Sequence, residues 1–237
     1  MRMNMNSNAG NRGKIGFQRS STGYIAVMVI ILIAAILIWY YYTKKRTLAN
    51  TQFNPVLISQ PIMMTDSKLQ SMQLDIPAEH PYGLQYTYSY WINVHDLDYN
   101  YGRRKNVFFN GTAATPSGGD NNPYVYIAEN TNTLMIQIGT SIFGIQNFPM
   151  MRWVHVGMVL NNRSMDVYID GKLERSFILA AIPTLTTSSN TFIVGNGTNV
   201  DTFSGKISRL QYFSKALGPT DVYDLYLQGP LPAAIFS

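Results

Sequence analysis

Apolar and polar positions alternate with a period of two through most of the chain after residue 80. Side chains on a strand point to opposite faces in turn, so such alternation predicts a sheet with one buried face. In "QYTYSYWINV", Gln85–Val94, the positions Tyr86, Tyr88, Tyr90, Ile92 and Val94 share one face. "KNVFFNG" follows, and then a loop rich in Gly, Pro and Asn over Thr115–Pro123. "YVYIAE" and "LMIQIG" flank Asn130–Thr133, and "WVHVGMVL" and "MDVYID" flank Asn161–Ser164, so each pair predicts a hairpin. Asp170-Gly171 then turns the chain into "KLERSFIL", because Gly accepts the positive φ that a tight hairpin turn needs. "TFIVG" and "KISRLQYF" complete the series. Short strands with turn chemistry every 8–12 residues or so predict an antiparallel β-sandwich.

Two stretches depart from this pattern. In "ALGPTDVYDLYLQG", Leu217, Val222, Leu225 and Tyr226 recur at helical spacing, Pro219 suits a first turn, and Gly229-Pro230 stops the helix. Near the N-terminus, Ser20–Thr43 holds no charge at all, with a core of "YIAVMVIILIAAILIWYYY" from Tyr24 to Tyr42. Nineteen helical residues at ~1.5 Å each reach about 28 Å, close to the ~30 Å of a bilayer's hydrocarbon. Tyr24 and Trp39 to Tyr42 stand near its two ends, where amphipathic rings prefer the interface, and Lys44, Lys45 and Arg46 follow at once. A signal peptide would have a shorter apolar run and a small-residue cleavage site, and neither is present. The run predicts an uncleaved single membrane span over residues 21–43. Before it lies a polar, basic tail, 1–20, that reads as disordered or peripheral. After it comes a Pro-containing linker or extended arm, 44–62, and then the sandwich domain, 63–237.

The charge distribution supports this division. The formal charge of +5 rests on seven basic residues that flank the apolar run. The rest of the chain holds eleven basic against thirteen acidic residues, which argues against a nucleic-acid-binding face. Four basic residues before the span and three after it give a slight preference for a cytoplasmic N-terminus. There is no cysteine, so disulfides, thiol chemistry and cysteine zinc sites are excluded. A cytosol-facing domain, a virion or a bacterium all fit that absence.

The order of motifs then carries a resemblance. "YSYWINV" (Tyr88–Val94), "WVHV" (Trp153–Val156), "VYIDG" (Val167–Gly171), "FIVGNG" (Phe192–Gly197), "FSGKISRLQYFSKAL" (Phe203–Leu217) and "VYDLY" (Val222–Tyr226) resemble laminin-G-like and pentraxin-like members of the concanavalin A-like lectin/glucanase superfamily. The resemblance implies a two-sheet jelly roll of roughly 12–14 strands. It casts Trp91, Trp153, Asp170 and Gly171 as framework, with Trp153 in the core and Asp170-Gly171 as a hairpin turn. Together with the predicted span, the chain's architecture also resembles virion membrane and minor capsid proteins of large eukaryotic DNA viruses, a likeness at fold level only.

Candidate chemistry is sparse. The family's glucanases need closely paired carboxylates, one nucleophile and one acid. Here Glu79, Glu129 and Glu174 stand alone, and no nucleophile elbow or phosphate-binding loop occurs. No catalytic residue and no cofactor site is expected. The resemblance to lectin-like relatives, which hold calcium on edge loops, makes Asp96 and Asp98 in "HDLDYN", Asp120 and Asp201 candidate calcium ligands. The competing reading of these aspartates is solvated Asx-turn loop. Tyr99, Tyr101 or Tyr124 can stack on sugars if exposed, and "RRK", Arg103–Lys105, is a small basic spot. His155 alternates with Val154 and Val156 and reads as a strand residue rather than a ligand. Three sequons begin at Asn110, Asn162 and Asn196. The tail "GPLPAAIFS" is apolar enough to expect that it packs on the domain or on a partner. The expected partners are a lipid bilayer and other proteins such as capsid proteins. A membrane-anchored lectin, calcium-dependent or not, is the alternative, with glycans as its partners.

Overall fold

The chain divides into two units, Met1–Leu48 and Ala49–Ser237. The computed structural model describes residues 25, 27–40, 54–66, 72–73, 84–111, 122–183, 191–195 and 201–231. In the first unit residues 27–40 form helix α1. Its apolar side chains are exposed all round, among them Ile30, Leu37 and Trp39. Fourteen residues reach about 21 Å. Among the described residues no helix is long and apolar enough to cross a membrane. The expected ends of the span, Tyr24, Tyr42, Lys44, Lys45 and Arg46, lie outside them.

The second unit is an antiparallel sandwich with thirteen strands among the described residues. One sheet runs β1 (Val56–Ile58), β13 (Gly205–Phe213), β4 (Gln85–Val94), β9 (Val154–Asn161), β10 (Ser164–Ile169) and β11 (Lys172–Ile178), with β2 (Ile62–Met63) also paired to β13. The other runs β3 (Met72–Gln73), β12 (Thr191–Val194), β5 (Lys105–Gly111), β6 (Tyr124–Ile127), β7 (Leu134–Ile138) and β8 (Ser141–Ile145). The predicted strands and both predicted hairpins are present. Residues 56–58 and Ile62, expected in the arm, together with Met63, pair with β13 and so extend the first sheet.

The alternation in β4 sets the core. Tyr86, Tyr88, Tyr90, Ile92 and Val94 face inward and meet Phe108, Phe192 and Tyr212 from the other strands. Tyr88 stacks on Phe192 with ring centroids 5.9 Å apart, and Tyr90 meets Phe108 edge-on at 5.2 Å. Burial pushes the phenols of Tyr86, Tyr88, Tyr90 and Tyr212 well up, so they remain neutral inside the sandwich.

The outward side of β4 is buried too, because helix α2 (Pro219–Leu227) and the segment before it lie across the first sheet. Gly218 and Pro219 open α2, and the Asp221 carboxylate accepts the Gly218 N–H at 3.3 Å. The helix comes close because two glycines make room. A Cβ on Gly157 would stand 2.8 Å from Val222 Cγ1, and one on Gly171 would stand 2.9 Å from Tyr223 Cδ2. Beyond α2, Ser208 Oγ donates to Pro230 O at 2.6 Å, and Arg209 donates to Leu231 O and to the Gln228 side chain. The first residues of the apolar tail are thus tied to β13, and residues 232–237 lie outside the described residues.

One framework expectation needs correction. Trp153 is half-buried just before β9 and is absent from the core between the sheets. Trp91, on the outward face of β4, is 7% exposed and stacks on Tyr226 of α2 at 5.7 Å. Asp170 and Gly171 do make the tight turn, with φ of 49° and 74°.

Candidate functional site

Two clusters hold the residues that the sequence singled out. The first stands at one end of the sandwich, on the ten-residue connection between β4 and β5. Asp96 Oδ1 accepts the Tyr99 N–H at 2.9 Å, an Asx turn that starts the loop. Asn100 takes positive φ, which Asn tolerates, and its amide donates to Thr202 O at 2.9 Å. Gly102 N–H donates to Glu129 O, which ties the loop to the β6–β7 turn. Tyr99 is 43% and Tyr101 65% exposed, so the loop holds two aromatic rings out to solvent.

The basic spot Arg103–Lys105 is not a patch of free cations. Arg103 pairs with Asp201 at 3.1 Å and Arg104 with Glu129 at 2.9 Å. Arg104 also lies over the Tyr126 ring, 5.2 Å from its centroid. The Glu129 carboxyl is held below the usual carboxylate range by a hydrogen bond from its own backbone N–H and by the Arg104 guanidinium. Lys105 is buried, and its ammonium donates to Glu129 O at 2.9 Å and Arg103 O at 3.3 Å. Burial pulls its pKa down, and the Glu129 and Asp96 charges oppose that.

The calcium candidates are therefore partly committed. Asp96 caps a backbone N–H, and Asp201 faces a guanidinium. Asp98 contributes its backbone carbonyl to the loop by accepting the Tyr101 N–H. Asp120 lies outside the described residues. Among the described residues no three His, Asp or Glu side chains come together to hold a metal ion. Tyr124 was an aromatic candidate as well, but it is 3% exposed and stacks on Tyr126 at 4.5 Å.

The second cluster lies beneath α2 and holds Arg152, His155 and Asp170. His155 Nε2 is 2.9 Å from Ser89 Oγ, and the imidazole contacts Trp91 and Tyr226 at 5.3 and 6.0 Å. A serine, a histidine and an aspartate in one place invite comparison with a nucleophilic triad. The geometry differs from one. Asp170 Oδ1 accepts the backbone N–H of His155, not the ring N–H, and its other oxygen pairs with Arg152 at 2.9 Å. His155 is fully buried and Ser89 is 3% exposed, so no substrate reaches the hydroxyl. Burial takes the imidazole down to about 4, the Asp170 charge opposing it, and Nδ1 has no partner among the described residues. In this cluster the His155 ring, with Trp91, packs against Tyr226 and so helps to seat α2 on the sheet.

Of the sequon asparagines, Asn110 is buried and its amide donates to Asn122 O at 3.2 Å, which leaves it inaccessible as an acceptor. Asn162 sits at the tip of the β9–β10 hairpin, and Asn196 lies outside the described residues. Sequence reasoning missed the Arg104–Glu129–Tyr126 group and the burial of Lys105. Their partners come from another hairpin, and no local pattern announces them.

The arrangement of two packed antiparallel sheets has counterparts. A family model for the concanavalin A-like lectin/glucanases superfamily matches residues 68–223. The chain belongs to this superfamily. No curated protein matches it. Among solved structures, the receptor binding domain of botulinum neurotoxin D is similar at 13% identity and a TM-score of 0.52, over 75% of this chain and 53% of that one. The serotype D ligand binding domain in complex with N-acetylneuraminic acid matches at 15% identity and a TM-score of 0.51, over 74% and 46%. A Trypanosoma rangeli sialidase matches at 16% identity and a TM-score of 0.46, over 61% and 23%. This concanavalin A-like chain thus spans about half, or less, of the solved chains it matches, and the likeness is one of fold.

Proposed function

We propose that the chain is a membrane-tethered, non-catalytic binding module whose concanavalin A-like domain takes carbohydrate at its loop end. The observation that carries this reading is the exposure of Tyr99 and Tyr101 on one short loop, which also carries Asn100, bonded to Thr202 O, and Arg103, paired with Asp201. Flat apolar rings beside a few fixed polar groups suit a ligand with apolar faces and many hydroxyls. The complex of a similar fold with N-acetylneuraminic acid agrees with a sugar ligand without naming one for this chain. The tether is α1, whose exposed apolar surface suits lipid better than water.

The test is a glycan array probed with full-length protein in detergent, with calcium and then with chelator. Saturable binding that is indifferent to the chelator is expected, because Asp96 and Asp201 already have other partners. Tyr99→Ala with Tyr101→Ala should weaken binding about tenfold or more, some 1.4 kcal/mol, with an unchanged melting temperature. Binding that survives the double substitution would move the site elsewhere, and chelator-sensitive binding would restore the calcium reading.

A second reading, protein docking, is favoured by Leu173 and Ile178, which stand 55% and 68% exposed on edge strand β11. The architectural likeness to virion membrane and minor capsid proteins belongs with this reading. Co-purification of a protein that depends on Ile178 would favour it over carbohydrate.

A further inference from the structure

We propose that strand β8 is a self-pairing edge, on which a second copy of this chain adds its own β8 antiparallel, with the two-fold axis at Phe143. The inference does not depend on the carbohydrate reading. It begins from how the two sheets treat the edges that meet on one side of the sandwich, where Phe143 of β8 stacks on Phe177 of β11 at 4.4 Å. An edge strand presents unpaired N–H and C=O groups, and chains that remain apart blunt such edges with charge, irregularity or cover. The first sheet ends on β11, which carries Lys172, Glu174 and Arg175 and has a register shift against β10. The second ends on β8, whose only neighbour among the described residues is β7. That pairing is regular over all five residues. There is no charged residue anywhere from Asn130 to Met151, and no proline within β8. Among the described residues one edge is protected and the other is open.

The side chains of β8 then select the partner. In an antiparallel pair centred on Phe143, Ile142 of one copy lies opposite Gly144 of the other, and Ser141 lies opposite Ile145. Ile142 is 50% exposed and points to the outer face. Gly144 is on the same face and offers no side chain. A Cβ there would stand 3.1 Å from both Met135 Sδ and Thr133 Cγ2, so the position stays flat. The Ile142 of a second copy would cover that flat spot and reach Met135, which already packs against Tyr124 and Tyr126. Each copy supplies one knob and one gap. An uncharged strand also meets its own copy without placing like charges opposite each other. A charged peptide would leave its charges unanswered along this edge.

The test uses full-length protein in detergent micelles, with mass measured by light scattering during size exclusion. The wild type should be a dimer that dissociates on dilution. Ile142→Lys should raise the dissociation constant tenfold or more, and Val56→Lys, on β1 at the other end of the first sheet, should leave it unchanged. A wild type that stays monomeric through the micromolar range overturns the proposal, and so does a dimer indifferent to Ile142→Lys. A second measurement covers the case in which the lysine variant fails to fold. The chain has no cysteine, so Thr140→Cys with Gln146→Cys gives a clean background. About six residues of strand, roughly 20 Å, separate the two positions within one copy, too far for an internal disulfide. In the proposed pair, position 140 faces position 146 of the second copy. Oxidation should therefore give covalent dimer from the double variant and none from Thr140→Cys alone. No covalent dimer from the double variant overturns the register.

Discussion

At the scale of single residues, His155 has the sharpest consequence. It is neutral in the folded chain because burial beneath α2 lowers its pKa from 6.5 to about 4. The unfolded chain binds the same proton at the ordinary value. Between those two values unfolding takes up a proton, so the folded state is favoured fully above pH 6.5 and progressively less as pH falls towards 4. The loss is at most about 3 kcal/mol. His155→Gln keeps a group for Ser89 to bond and removes the titration. Urea unfolding between pH 4 and 7 should show a steep pH slope in the wild type and a shallower one in the variant. Equal slopes would mean that the imidazole is protonated while folded. The sequence marked His155 as a strand residue by its alternation with valines. It gave no hint of the depth, because Trp91 and Tyr226, which cover the ring, come from β4 and from α2.

At the scale of elements, the strands were legible wherever alternation and turn chemistry agreed, as in β4, in the β6–β7 hairpin and in the turn at Asp170-Gly171. Strand β8 was not legible. "SIFGI" has a glycine inside and is only five residues long, so no period stands out. The short β1 and β2 depend on β13 for their conformation and have no pattern of their own. Lys105 read as part of a basic patch, but two carbonyls, one of them 24 residues away, decide its burial. Trp153 read as core because of its family motif, yet it stands outside the sandwich, just before β9. The seat of α2 gives a test at this scale. Gly157→Ala would place a methyl 2.8 Å from Val222 Cγ1 on a helix that is fixed at both ends. The helix must shift, at a cost of about 1–3 kcal/mol. A lower denaturation midpoint should appear with stronger fluorescence change at Trp91, since the Tyr226 stack loosens. An alanine that leaves the midpoint unchanged would show α2 to be loosely seated.

At the scale of the whole molecule, the charge distribution separates two kinds of chemistry. Seven basic residues and one uncharged run lie before residue 47, and the near-balanced charges of the sandwich lie after it. A water-exposed helix with Ile25, Met28, Ile30, Leu32 and Leu37 all more than half exposed is unfavourable, since each such side chain gains ~1.5–3 kcal/mol on burial. Lipid is the environment that the proposed tether would need, and the tyrosines and lysines of residues 40–46 are of the types that favour its interface. If the run spans a bilayer, its midpoint falls near Ala34 and Ala35. A lysine there costs roughly 2.5–3.5 kcal/mol at the centre of a span. The wild type should remain in the membrane pellet after alkaline carbonate extraction. The chain with both Ala34→Lys and Ala35→Lys should move largely to the supernatant, with the sandwich still folded by circular dichroism. A wild type that is released by carbonate would place the apolar run against protein instead.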